Sequence, residues 1–333
     1  MSDVLIVGGG ILGMLSAREL RLAGASVTLL ERGEPGRESS WAGGGIISPL
    51  YPWRYADSVT ALASWSQQVY LALCEDLASD TGIDPEYTPS GLLIVAPDEQ
   101  PEAEYWAGRH HQHLQTVSGA EISKLEPAWS SPPGNAIWLP RVAQVRNPRL
   151  AKSLLAHIEA LGVKVLSHHQ AQRLEHDGDR VTGVLTANGL LKAENILLCT
   201  GAWTHEFMRS LPYPAHVHPV RGQMLLFKTR PGLISRMVLE HNRYIIPRRD
   251  GRVLFGSTIE ETGFDKSTTE QAKVELSTIA KERFPVLNDY SIEHHWAGLR
   301  PGSPAGIPYI GLSLIHISEP TRLRRKSRMP SSA

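Results

Sequence analysis

The residues with the clearest chemical purpose stand at the amino terminus. Gly8, Gly10 and Gly13 lie in Gly8-Gly9-Gly10-Ile11-Leu12-Gly13, directly after the apolar run Val4-Leu5-Ile6-Val7, and Glu31 closes a second apolar run 18 residues beyond Gly13. The order reads as strand, glycine turn, helix, strand, acid. Gly8 permits a sharp turn, Gly10 lets backbone amides approach a pyrophosphate, and Gly13 lets the helix pack on the strand. Ile11 and Leu12 open that helix, whose free N–H groups and positive dipole end favour an anion. A carboxylate at Glu31 accepts hydrogen bonds from both hydroxyls of a ribose and disfavours a 2′-phosphate, with Arg32 beside it. The predicted ligand is a dinucleotide without that phosphate.

These residues need a scaffold, and the chain of 333 residues has room for about two domains. Its 34 basic and 34 acidic residues cancel, which argues against nucleic-acid or membrane-surface binding through bulk charge. Cys74 and Cys199 are too few for a disulfide framework and read as buried thiols of a reduced, cytoplasmic protein. The amino terminus lacks the basic region of a signal peptide, and no apolar run reaches the length of a membrane span.

Residues 58–81 carry Val59, Leu62, Trp65, Val69, Leu73 and Leu77 at helical spacing and stop at Gly82. A strand is expected at 91–96, and a helix at 148–161 between Pro148 and Gly162. A short strand at 163–166, a hairpin around Asp177-Gly178-Asp179 and a strand at 195–200 follow. From 216 to 256 the pattern changes to longer alternating strands, with Asp250-Gly251 as a hairpin turn. Ser267 and Glu270 read as a capping box heading a helix to Arg283. The expected fold is α/β, with a Rossmann-like parallel-sheet domain (1–85, 140–215 and 301–311) and a second, α+β domain with an antiparallel sheet (86–139 and 216–300). Residues 312–333, with Arg322, Arg324, Arg325, Lys326 and Arg328 crowded together, look like translated sequencing-adapter sequence and are set aside.

Two other chemistries are weaker. A nicotinamide-dependent dehydrogenase could use the same glycine turn, yet the chain has no Tyr-x-x-x-Lys pair. His110, His111 and His113, or His216 and His218 with His294 and His295, could ligate zinc; without HExxH or a cysteine pair they read as ordinary surface or core histidines, and no metal is expected.

Further motifs are Ser39-Ser40-Trp41-Ala42-Gly43-Gly44-Gly45-Ile46, Leu198-Cys199-Thr200-Gly201-Ala202-Trp203, Trp296-Ala297-Gly298-Leu299-Arg300-Pro301-Gly302 and Pro308-Tyr309-Ile310-Gly311. In this order, over residues 2–311, the chain resembles the glycine oxidase and D-amino acid oxidase family of FAD-dependent oxidoreductases, and most of all the bacterial glycine oxidases of thiazole biosynthesis. The resemblance implies FAD, held by the amino-terminal turn, by Ser39, Ser40 and the small residues Gly43, Gly44 and Gly45, by Thr200 and Gly201, and by an adenine contact at Ala171. It implies that Arg300 grips the substrate carboxylate, that the Tyr244 hydroxyl also reaches it, and that Ile259 lines the pocket. The implied reaction moves hydride from a small amine or amino acid to flavin N5 and gives an imine, with no side-chain acid or base. Oxygen is the implied acceptor and hydrogen peroxide the product. A dehydrogenase with another acceptor, a sarcosine oxidase-like enzyme, or a flavin-binding protein without activity stays open, as does a homo-oligomer. Family members continue after the Tyr-Ile-Gly stretch into a strand, a loop with a second substrate-facing arginine, and a helix aimed at the flavin; residues 312–333 match none of these.

Overall fold

In the computed structural model, residues 2–311 are described apart from 178–179, 210 and 212–213, so the expected Gly178-Asp179 turn and the tail from 312 lie outside the described residues. The first half of the chain forms β1 (Ser2–Val7), α1 (Ile11–Leu22), β2 (Val27–Leu30), α2 (Ser39–Ala42), α3 (Asp57–Thr81), β3 (Leu92–Val95), α4 (Gln100–Arg109), β4 (Gln115–Ser118), α5 (Gly119–Leu125) and β5 (Asn135–Leu139). It continues with α6 (Asn147–Ala160), β6 (Lys164–Leu166), β7 (Ala171–Asp177), β8 (Arg180–Thr186), β9 (Gly189–Leu198) and α7 (Thr204–Met208). The last elements are β10 (His218–Lys228), β11 (Met237–Glu240), β12 (Arg243–Pro247), β13 (Arg252–Gly256), α8 (Glu270–Arg283) and β14 (Ile292–Gly302).

β1 is apolar on both faces from Val4 onward because helices cover one side and a hairpin layer the other. It lies inside a six-stranded sheet of order β6-β2-β1-β9-β8-β7. β6, β2, β1 and the carboxyl half of β9 run parallel; the other half of β9 pairs antiparallel with β8. α1 and α6 make the crossovers, and Met14, Ala17, Leu150, Leu154 and Ile158 bury their apolar stripes against the strands.

The apolar stripe of α3 is not buried along its whole length. Cys74 and Leu77 enter the core, whereas Leu62, Trp65 and Val69 are 44 %, 65 % and 37 % exposed. At the amino end, Thr60 and Ser64 accept hydrogen bonds from Trp106 of α4 and from Gln112 just after it, so polar groups face that segment and the apolar stripe turns outward. Cys199 is half-buried rather than buried, because it ends β9 at the rim of the sheet.

The second sheet has eight strands in the order β14-β10-β13-β12-β11-β3-β5-β4. It is mixed, not antiparallel, since β3 runs parallel to β11 with Leu93 opposite Val238. Alternating hydrophobicity reports a half-buried strand but not the direction of its neighbour. One face carries Leu225, Phe227, Ile245 and Phe255 against Leu276 and Phe284. The other carries Met224, Tyr244, Ile246 and Leu254. The amino-terminal cap of α8 is Thr269, whose hydroxyl accepts the Ala272 N–H at 3.3 Å, while Ser267 bonds Asp265 instead. Pro301 and Gly302 pair with Pro219 and His218, so β14 carries these two residues along the eight-stranded sheet. No helix among the described residues is long and apolar enough to cross a membrane.

Candidate cofactor and substrate site

The three glycines of the first turn do different work. A Cβ on Gly8, whose φ is +109°, would collide with the Cys199 carbonyl, and one on Gly13 with the carbonyl of Gly8. Both are required by the packing of β1, β9 and α1. Gly10 is the open one: a Cβ there would meet only Ser40 Oγ, at 3.2 Å. Ser40 accepts the Ile11 N–H at 2.8 Å and keeps its own hydrogen to donate. Leu12, in the first turn of α1, is 69 % exposed.

The Glu31 carboxylate sits at the same turn, accepting Gly9 N–H at 2.8 Å and Gly33 N–H at 2.9 Å. Its remaining lone pairs can accept ribose hydroxyls. The amides of His168 and His169 donate to the carbonyls of Gly33 and Glu31, at 3.1 and 2.8 Å, which brings the start of β7 and Ala171 toward this end of the sheet. Arg32 lies 3.6 Å over the Trp203 ring and pairs with Glu38 at 2.8 Å, joining the Thr200–Trp203 turn to the end of β2. Thr200 bonds Thr204 through the two hydroxyls, and a Cβ on Gly201 would meet nothing within 4 Å. An open glycine backbone, a helix start, an acid with free lone pairs and an uncrowded strand end together fit a bound dinucleotide.

The second glycine run lies between the lobes. α2, opened by Ser39, leads into Gly43, Gly44 and Gly45. A Cβ on Gly45, at φ +77°, would strike the Val145 carbonyl, and one on Gly44 would sit 2.6 Å from Ile246 Cδ1 and 3.1 Å from Tyr244 Cε2. The loop is therefore laid directly on β12. Beneath it is Arg248, which donates to Gly44 O at 2.8 Å, Val145 O at 2.8 Å and Gln144 Oε1 at 2.6 Å. Burial pulls its pKa down to about 10, so it remains charged at neutral pH, and among the described residues no carboxylate lies within 4.0 Å of it. Sequence reasoning missed Arg248; the only signal was a charge at the end of an apolar strand, one residue past Pro247.

Arg300, on β14, is half-buried and points its guanidinium at the segment after β13. Nη2 donates to Ser257 Oγ at 2.5 Å and Nη1 to Thr258 O at 3.3 Å. Among the described residues it has no carboxylate within 4.0 Å. Ile259, one residue beyond that carbonyl, is 64 % exposed. Tyr244 is buried and donates its hydroxyl to Met224 Sδ at 3.7 Å, so the structure sets its ring against Gly44 rather than bonding it to Arg300. Two contacts clamp β14 onto α2. Trp296 Nε1 donates to Ala42 O at 3.1 Å, and a Cβ on Gly298 would overlap Ala42. A cavity of about 300 Å³ opens there, lined by Trp41, Ala42, Lys266, Trp296 and Gly298 among others. Among the described residues no group of three or more His, Cys, Asp or Glu could hold a metal ion.

A glycine turn of the dinucleotide-binding kind on a parallel sheet, with an arginine free of carboxylate partners among the described residues on a second, mixed sheet, is the arrangement of a nucleotide-dependent enzyme. The chain belongs to the FAD-dependent oxidoreductase family, which matches residues 3–322, and FAD is its cofactor. It is 48 % identical over 309 residues to the glycine oxidase of Pseudomonas aeruginosa, covering 92 % of this chain and 85 % of that one. It is 31 % identical to the bifunctional protein ThiO/ThiG of Trichormus variabilis, over 93 % of this chain and 48 % of that protein. The crystal structure of glycine oxidase from Geobacillus kaustophilus superposes with a TM-score of 0.89 at 25 % identity, covering 94 % and 86 % of the two chains.

Proposed function

We propose that this chain oxidatively deaminates glycine or a similarly small amino acid or amine, with molecular oxygen as the electron acceptor. One observation carries the reading: a guanidinium without an ionic partner among the described residues, on the strand that docks against the glycine loop of the cofactor lobe. Arg300 forms a two-point grip on a carboxylate and thereby fixes the α-carbon. The turn at Gly10, Ile11 and Leu12 holds the pyrophosphate, and Glu31 holds the ribose. Gly43, Gly44 and Gly45 bring bare backbone to the space between the lobes, and Ile259 presents an apolar side chain at the rim. FAD, when bound, supplies the two-electron oxidant. The substrate then leaves as an imine, which water hydrolyses to a carbonyl compound and ammonia, or an alkylamine where the nitrogen carries a methyl group, and oxygen takes up the electron pair and two protons as hydrogen peroxide. No acid or base on the protein is needed if the amine binds neutral.

The test is to load the protein with FAD and mix it with glycine, sarcosine or D-alanine, first without oxygen and then in air. Bleaching of the flavin without oxygen, followed in air by peroxide in equal amount to the ammonia from glycine or D-alanine, or to the methylamine from sarcosine, is the expected result. A flavin that none of these amines bleaches would overturn the reading.

A further inference from the structure

Arg300 is a long, flexible side chain, and something must aim it. Gly222, buried on β10, lies diagonally across the ladder: Val220 pairs with Arg300 and Gly222 with Gly298, so all four residues share one face. A Cβ built on Gly222 would sit 2.6 Å from Arg300 Cζ and nearer still to both Nη atoms, and these three are the nearest atoms it would meet. The φ of Gly222 is not positive, so its backbone conformation is open to any residue. The missing side chain is therefore explained by the guanidinium, which occupies the place a methyl group would take. From the other side, Ser257 Oγ and Thr258 O accept one hydrogen bond each, leaving the remaining N–H groups of the fork to a ligand.

This support is itself held. Arg243 Nη1 donates to Ser257 O at 2.7 Å while its Nη2 pairs with Glu275 of α8 at 2.7 Å, and the Gln223 N–H donates to Thr258 Oγ1 at 2.8 Å. We infer that Gly222 and Ser257 form a seat that fixes the Arg300 guanidinium before substrate arrives, and that both are positioning residues for the substrate carboxylate. The inference rests on the reading of Arg300 given above. A guanidinium already seated loses little rotamer freedom when a carboxylate binds.

Acetate, the smallest substrate-like carboxylate, serves as the probe, its binding read from the visible spectrum of the FAD-loaded protein. Gly222→Ala is expected to weaken acetate binding at least about tenfold while FAD content and Tm stay near those of the parent, because the atoms the new methyl meets most closely belong to a side chain that can move. Ser257→Ala should weaken it by about three- to tenfold, and Ser257→Thr, which keeps the hydroxyl, should restore most of the loss. In an Arg300→Ala background, Gly222→Ala should change nothing further. Unaltered acetate binding in both Gly222→Ala and Ser257→Ala, or an equal loss with and without Arg300, would overturn the seat. Should Arg300→Ala itself bind acetate like the parent, the carboxylate reading fails first and the seat with it. Ser257→Ala keeps the proposal open to refutation if Gly222→Ala does not fold.

Discussion

The parallel-sheet half and the mixed-sheet half build their parts of the proposed site in opposite ways. Gly8, Gly10, Gly13 and Glu31 come from a single β1-α1-β2 unit, joined by one parallel pairing in which Val7 lies opposite Leu30. Gly222, Tyr244, Ser257 and Arg300 come from β10, β12, the segment after β13, and β14; β12 and β13 form a hairpin, but β10 joins β13 on one side and β14 on the other from well separated parts of the chain. Yet both halves rely on absent side chains at a point of contact, Gly13 against the Gly8 carbonyl in one and Gly222 against a guanidinium in the other. The comparison teaches that a glycine facing backbone is a requirement of folding, whereas a glycine facing a mobile side chain is a requirement of aim.

Gly13→Val is the harshest way to test this contrast. Its branched side chain must push α1 off β1, at a cost of about 3 kcal/mol or more, and the protein should melt earlier and be recovered without flavin. Retention of FAD and an unchanged Tm would refute the packing account. Arg300→Ala is expected to spare the cofactor lobe. It should raise KM for glycine roughly 100-fold, about 2–3 kcal/mol, with FAD bound in the same ratio to protein. Loss of FAD in that variant would mean the halves are not separable.

Arg248→Met probes the point where the halves meet. It leaves the Gly44 and Val145 carbonyls without their donor, which should cost about 2 kcal/mol of stability in chemical denaturation and weaken FAD and acetate together. An effect confined to one ligand would place Arg248 in one half only.

The mildest test concerns Glu260. Burial pushes its carboxyl upward, but hydrogen bonds from Thr258, Arg221 and Gln223 win and hold it below the usual carboxylate range. A depressed pKa means that the stabilisation is complete above the ordinary Glu value near 4.3 and fades as pH falls through the lower, folded value. Glu260→Gln should therefore lose up to about 1 kcal/mol at pH 7 and show a flatter decline in urea midpoint below about pH 4. A decline as steep as the parent's would remove Glu260 from the network.

Helix boundaries were legible where glycine and proline mark them, as at Gly82 after α3 and Pro148 in α6. Orientation was not. Leu62, Trp65 and Val69 have helical spacing, but spacing does not say which neighbour a stripe meets, and here α4 and the residues after it meet Thr60 and Ser64 instead. The cap of α8 went to Thr269 because Asp265 engages Ser267. Arg248, Gly222 and Ser257 left no periodic signal, since each acts through one distant partner.

By itself the sequence determined the glycine turn between β1 and α1, the acid at the end of β2 and the α/β class, because those depend on short-range spacing that the chain must obey wherever it folds. Only the tertiary structure decided the parallel pairing of β3 with β11, the docking of β14 on α2 and the seat under Arg300. These arise between segments far apart in the chain, where contact is settled by how whole layers pack and not by any local pattern.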